Sequence, residues 1–204
     1  MNRRPILALV LAVAALSACT SEKPAGAKHS SPATVPSASI PAVPGPDVAP
    51  TMELGTSAET VGVNGQGRLE ITPMTVVYLP QGGSQEPENE LFAHVVVKLR
   101  PTTAVSASPA VPISGGGWSW VAPNREAIEQ GNGAAFNVVA GSFNHGGDVQ
   151  PGTFVFDDAV FDLTKAQAGG TLLYNDGEGQ AYRWRMPAQE AGPHVEKVKK
   201  ELAP

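Results

Sequence analysis

The run from Leu91 to Leu99 constrains this chain more than any other segment. In an extended strand, Leu91, Ala93, Val95, Val97 and Leu99 fall on one face. Phe92, His94, Val96, Lys98 and Arg100 fall on the other. The first set is wholly apolar and the second is mixed, which is the pattern of a half-buried strand. Such a strand must press its apolar face against a second layer.

Other short runs supply that layer. Glu59–Val63 reads as a strand, followed by a turn at Asn64-Gly65-Gln66-Gly67. Asn-Gly is the strongest short-range hairpin signal. Arg68–Thr72 alternates and Met74–Leu79 continues it, so Pro73 between them marks a bulge or an edge. Trp118–Val121, Ala135–Val139, Thr153–Phe156, Val160–Leu163, Thr171–Tyr174 and Ala181–Met186 follow as further strands. Asn175-Asp176-Gly177-Glu178-Gly179 is the turn of a closing hairpin. Arg125–Gln130 is long enough for one helical turn. Seven or eight short strands punctuated by turns predict an all-β, antiparallel β-sandwich.

The ends of the chain differ in character. Arg3 and Arg4 precede the short apolar run Ile6–Leu16, which reads as a secretory signal peptide over residues 1–18. The run is too short for a membrane span, which needs about 20 residues. Leu16-Ser17-Ala18-Cys19 resembles the lipobox of bacterial lipoproteins. That resemblance implies cleavage before Cys19, a diacylglycerol on its thiol, and a lipid anchor at the extracytoplasmic face of the cell membrane. Residues 19–52 then form a tether rich in Pro, Ser and Ala, with no aromatic side chain. Such a segment buries too little apolar area to offset its ordering entropy. Its prolines keep it extended, so residues 20–50 could reach roughly 100 Å. Serines and threonines beside those prolines also permit O-glycosylation. The sandwich is assigned to residues 53–188, and 189–204 to a charged tail that is flexible or a short helix.

Charge and cysteine content exclude several functions. Removing residues 1–18 takes two of the 14 basic residues, leaving 12 against 19 acidic ones and a formal charge of −7. Nucleic-acid binding wants a positive field, so no nucleic-acid partner is expected. Cys19 is the sole cysteine, and lipid would consume it. Disulfides, cysteine catalysis and cysteine-ligated metals are thereby excluded. No cofactor is expected.

Gly67–Thr72, the strand from Leu91, the segment Val149-Gln150-Pro151-Gly152-Thr153-Phe154-Val155-Phe156-Asp157, and the closing hairpin to Met186 line up in one order. Together they resemble the immunoglobulin-like domain of secreted antigens and lipoproteins in actinobacteria and other Gram-positive bacteria. The resemblance covers residues 53–188. It implies an immunoglobulin-like sandwich and supplies no catalytic residues, since that family is mostly without assigned activity. Independently of it, Pro151-Gly152 suits the centre of a type II turn. Phe154 and Phe156 beyond that turn are expected to enter the core.

Candidate sites are few. Ser142, His145 and Asp148 have the residue types of a catalytic triad, but a triad draws its members from converging elements and these are near neighbours. Asp157, Asp158, Asp162, Asp176 and Glu178 could offer oxygens to calcium, but their spacing matches no calcium loop. His29, His94, His145 and His194 are dispersed and show no metal-ligand spacing. Trp118 and Trp120 share a strand face beside the Gly115-Gly116-Gly117 run, which is expected to make that loop mobile. Core packing is the plainer reading of both rings; a surface role, with Arg125, would make them aromatic and arginine anchors for an envelope protein or a wall polymer. The loops 114–133 and 144–150 are the expected contact surface. These readings point to a non-enzymatic binding or structural module displayed on the envelope. A carrier of a small molecule or metal ion is the alternative, and an unrecognised hydrolase a more remote one.

Overall fold

The computed structural model describes residues 49–204. The signal segment, Cys19 and nearly all of the tether lie outside these residues. Nine strands and one helix are formed among the described residues: β1 (Thr51–Glu53), β2 (Ala58–Val61), β3 (Arg68–Leu79), β4 (Leu91–Pro101), β5 (Gly117–Val121), β6 (Ala127–Glu129), β7 (Val155–Leu163), β8 (Thr171–Asn175), β9 (Ala181–Arg185) and α1 (Val195–Glu201). One sheet has the order β1-β9-β8-β5-β6 and the other β2-β3-β4-β7. All pairings are antiparallel except β1 with β9, which is parallel. Two facing sheets of this kind are the all-β sandwich expected. In the immunoglobulin arrangement, strands B and E neighbour each other in one sheet and C, F and G in the other. The pairs β4–β7 and β5–β8–β9 follow that order, with β6 on the outer side of β5.

Two of the turns have the expected geometry. Asn64 and Gly65 both adopt positive φ, and the chain reverses there from β2 into β3. Gly152 has φ 77°, and the Thr153 amide donates to the Gln150 carbonyl at 3.2 Å, closing the turn before β7.

Several expectations are corrected. The tether ends sooner than residue 52, because Thr51 and Met52 already pair with Arg183 and Trp184. Residues 125–130 make no helical turn, and 127–129 are the strand β6. Ala135–Val139 is not a strand, since Gly133–Asn137 is a short 3-10 turn. The two strands expected around 153–156 and 160–163 are one, β7. Phe154 precedes it and is 53% exposed, so it does not enter the core. Instead its ring packs on Phe156 and lies under the Lys98 ammonium, 4.5 Å from the ring centroid. The Gly115–Gly117 run is more tightly packed than a mobile loop would be. A Cβ on Gly116 would stand 2.6 Å from the Asn175 carbonyl oxygen.

β3 explains how one sheet serves two cores. Its register against β4 slips between Pro73 and Thr75, leaving Met74 as an extra residue. Side chains alternate along a strand, so one inserted residue exchanges the two faces. Before the bulge, Leu69 and Ile71 point between the sheets; after it, Val76 does. Val77 and Leu79 then point to the opposite side of the sheet.

The core between the sheets is built from Leu69, Ile71, Val95, Val97, Phe161, Leu172, Trp120 and Trp184, among others. The second core lies on the far face of the four-stranded sheet. There Val77, Phe92, Val96 and Val160 are covered by Ala135, Val138, Ala140 and Phe143, and by Val198 and Leu202 from the C-terminus. The tail is therefore helical and docked rather than flexible. Val195, Val198 and Leu202 recur at helical spacing and turn one stripe inward. The chain is led to that position by a bridge between Val76 and Ala191, whose amides and carbonyls exchange bonds of 2.9 and 3.0 Å. Gly192, at φ 107°, lies so close to the bulge that a Cβ would meet the Met74 carbonyl at 2.2 Å. Because of this cover, β4 is buried on both faces, not one.

Candidate functional site

Trp118 and Trp120 point the same way from β5, as their spacing predicts, but that way is inward. Trp118 is 6% exposed and Trp120 is fully buried. Trp118 packs on Tyr174 with ring centroids 4.6 Å apart, and Trp120 packs on Phe161 at 5.7 Å. The Trp120 indole N–H donates to the Gln167 carbonyl at 2.9 Å, so its polar atom is satisfied inside. The rings are core, the plainer of the two readings, and the binding site expected at Trp118, Trp120 and Arg125 is corrected because neither ring is available as a surface anchor. The reason is register: β5 pairs with β8, which sets both tryptophans opposite Tyr174 and Leu172 of the core. Arg125 is exposed, at φ 73° in the turn joining β5 to β6. It stands apart from the two rings and forms no joint site with them.

The members of the other proposed constellations go separate ways. The Ser142 amide donates to Glu201, the His145 amide to Asp157 at 3.2 Å, and the Ser108 hydroxyl to Asp148. Asp162 accepts the amides of Glu88 and Asn89 at 2.7 and 3.0 Å, tying their loop to β7. Asp176 accepts the amides of Glu178 and Gln180 and holds the closing hairpin. Among the described residues, no three His, Cys, Asp or Glu side chains converge as metal ligands.

What the fold does bring together is an apolar cleft of about 470 Å³ beside the edge strand β7. Three segments line it: Val111–Ile113, Gln130–Val139 and Asn144. Ile113 is 97% exposed and Phe136 80%, and Val111 and Val139 are also exposed. A monomeric surface scatters its exposed apolar side chains singly. Here four of the six large ones among the described residues stand around one cleft.

One carboxylate is among the lining residues of the cleft. Asp158 projects there from β7, and its Oδ2 lies 2.9 Å from Nε2 of His94 on β4. His94 is wholly buried and Asp158 nearly so. The pair arises because β4 and β7 are neighbours, with Val96 opposite Asp158 and His94 one step along on the same face. Asp158 Oδ1 has no hydrogen-bond partner among the described residues. The Gln130 side-chain Nε2 donates to the Asp158 backbone carbonyl at 3.3 Å, and the Gly131 N–H to that of Val160 at 2.9 Å. These bonds fix the cleft wall to the edge of β7. Next to Asp158, burial pushes the Asp157 carboxyl up to about 6 from 3.8. The charge of Asp158 adds to that rise, while the backbone amides of Asp158 and His145 hold it back.

Sequence reasoning reached part of this surface. The loops 114–133 and 144–150 contain Gln130, Gly131 and Asn144, which do line the cleft. It missed Val111, Ile113 and the 135–139 segment. An apolar Val-Pro-Ile inside a Pro- and Gly-rich connection was the available signal.

No protein-family model and no curated protein matches this sequence. Among solved structures, the yjhA protein from Bacillus subtilis overlays with a TM-score of 0.50 at 14% identity, covering 66% of this chain and 99% of that one. The two chains share a fold. A candidate lipoprotein (ycdA) from Bacillus subtilis overlays with a TM-score of 0.43 at 10% identity. That overlay covers 73% of this chain and 41% of the other, and carries no further conclusion.

Proposed function

We propose that this chain is a lipoprotein of a Gram-positive, actinobacterial envelope, anchored to the outer face of the cell membrane through Cys19. Its sandwich is a non-enzymatic binding module that meets an envelope protein or wall polymer at the apolar cleft. The anchoring half is supported by the order of Arg3-Arg4, the apolar run and Leu16-Ser17-Ala18-Cys19. The binding half is carried by one observation, the gathering of Val111, Ile113, Phe136 and Val139 around a single cleft. Exposed apolar side chains collected in one place are the usual mark of an interaction site.

Two measurements on cells test this. Radiolabelled palmitate should enter the wild type and not Cys19→Ser, and equal labelling of both would refute the anchor. A photo-cross-linking amino acid at position 113 should capture one discrete species, while the same group at the exposed position 125 should not. Equal capture at both positions would refute the cleft as the contact surface.

A further inference from the structure

The cleft combines features that restrict its occupant further, an inference that rests on its being the contact surface. Its walls are mostly apolar, and one buried carboxylate, Asp158, is among its lining. Oδ2 of that carboxylate is engaged by His94 Nε2 at 2.9 Å, and Oδ1 is free. A buried charge is retained only where a hydrogen bond or a counter-charge satisfies it. Here half of that satisfaction comes from within the fold, leaving a single acceptor facing the cleft. An arginine fork prefers both oxygens of a carboxylate. A lysine ammonium is a point charge that one oxygen can hold, and its four-carbon stem lies well along apolar walls.

The rim indicates how large the occupant is. Ile113 stands almost entirely clear of the protein, and Phe136 nearly so. A molecule small enough to sit inside the cleft would leave both in water. Covering them takes the surface of a macromolecule that spans the mouth. The chain's acidic balance, a formal charge of −5, also favours a basic partner.

We propose that the cleft receives a lysine side chain from a partner protein, in a segment with apolar residues on either side of the lysine. The ammonium donates to Asp158 Oδ1, the lysine stem lies between Val111 and Val139, and the flanking apolar residues cover Ile113 and Phe136. His94 is a positioning residue: it occupies Oδ2 and turns Oδ1 toward the cleft.

The probe is the peptide acetyl-Val-Leu-Lys-Leu-Val-amide, titrated against the full-length chain in detergent and followed by calorimetry. Versions with Gln, Arg or Glu in place of Lys complete the set. The lysine peptide should bind at least about tenfold tighter than the glutamine peptide, the factor expected of one hydrogen bond to a charged group. The arginine peptide should bind more weakly than the lysine peptide. Asp158→Asn should abolish the preference for lysine. Ile113→Ser, at a position too exposed to affect folding, should weaken every version. Equal binding of the Lys and Gln peptides, or binding of neither, would overturn the lysine assignment. Cross-linking from position 113 would still report on the cleft itself, so the two readings fail separately.

Discussion

Replacing Asp157 by asparagine should stabilise the protein at neutral pH. Burial raises the Asp157 carboxyl to about 6 in the folded state, against 3.8 for the ordinary group. The folded protein therefore holds this proton more tightly than the unfolded chain does. Stability from this source is fully present below pH 3.8 and is lost as pH rises to about 6. Above that, the wild type carries the penalty of an ionised, half-buried carboxylate, at most about 3 kcal/mol. Asparagine carries none of it, and its side-chain oxygen can still accept from the His145 amide. Urea unfolding of both proteins at intervals from pH 4 to pH 8 gives the difference in stability directly. The difference should grow in favour of the variant by up to about 2.4 kcal/mol between pH 4 and pH 7. A flat difference would refute the argument, and so would a wild type that gains on the variant as pH rises. The latter would mean that a cation, not burial, governs this carboxyl.

Two further outcomes follow from the two cores. Trp120→Ala should cost about 3–5 kcal/mol in urea unfolding, because it empties a fully buried site between the sheets; an unchanged midpoint would return the ring to the surface. Leu202→Ala should cost about 2–5 kcal/mol and increase binding of a hydrophobic dye. If neither changes, α1 does not cover the second core.

Features set by local chemistry were legible before the structure. Asn64-Gly65, Pro151-Gly152 and Asn175–Gly179 form turns where their φ preferences require them, and Pro73 stands beside a bulge. What escaped depends on partners distant in sequence. Phe92, His94 and Val96 looked like one face of a half-solvated strand because their cover comes from beyond residue 133. His94 looked like an ordinary polar position because Asp158 lies 64 residues away. The tail offered only Val195, Val198 and Leu202, too little apolar content to signal burial without knowledge of the face it meets. Ala135–Val139 read as a strand, yet a 3-10 turn buries Ala135 and Val138 while exposing Phe136 and Val139. Trp118 and Trp120 show the limit of parity: it tells which side chains travel together and not which way they face.

The extra residue in β3 makes that strand two half-strands that count in opposite phase. Deletions are usually best tolerated away from packed segments, and Met74, as the unpaired residue of a bulge, looks superficially dispensable. Removing it would restore unbroken alternation and leave Val76 and Tyr78 on the face of Leu69 and Ile71, with Val77 and Leu79 still on the other. What would go is the bulge itself, and with it the Met74 carbonyl against which Gly192 is seated beside the Val76–Ala191 bridge. The approach of the C-terminal segment is thus keyed to a backbone kink formed more than a hundred residues earlier. Among homologous chains, length at this one position should vary less than in the connecting loops, and a loss there should come with a rewritten C-terminus.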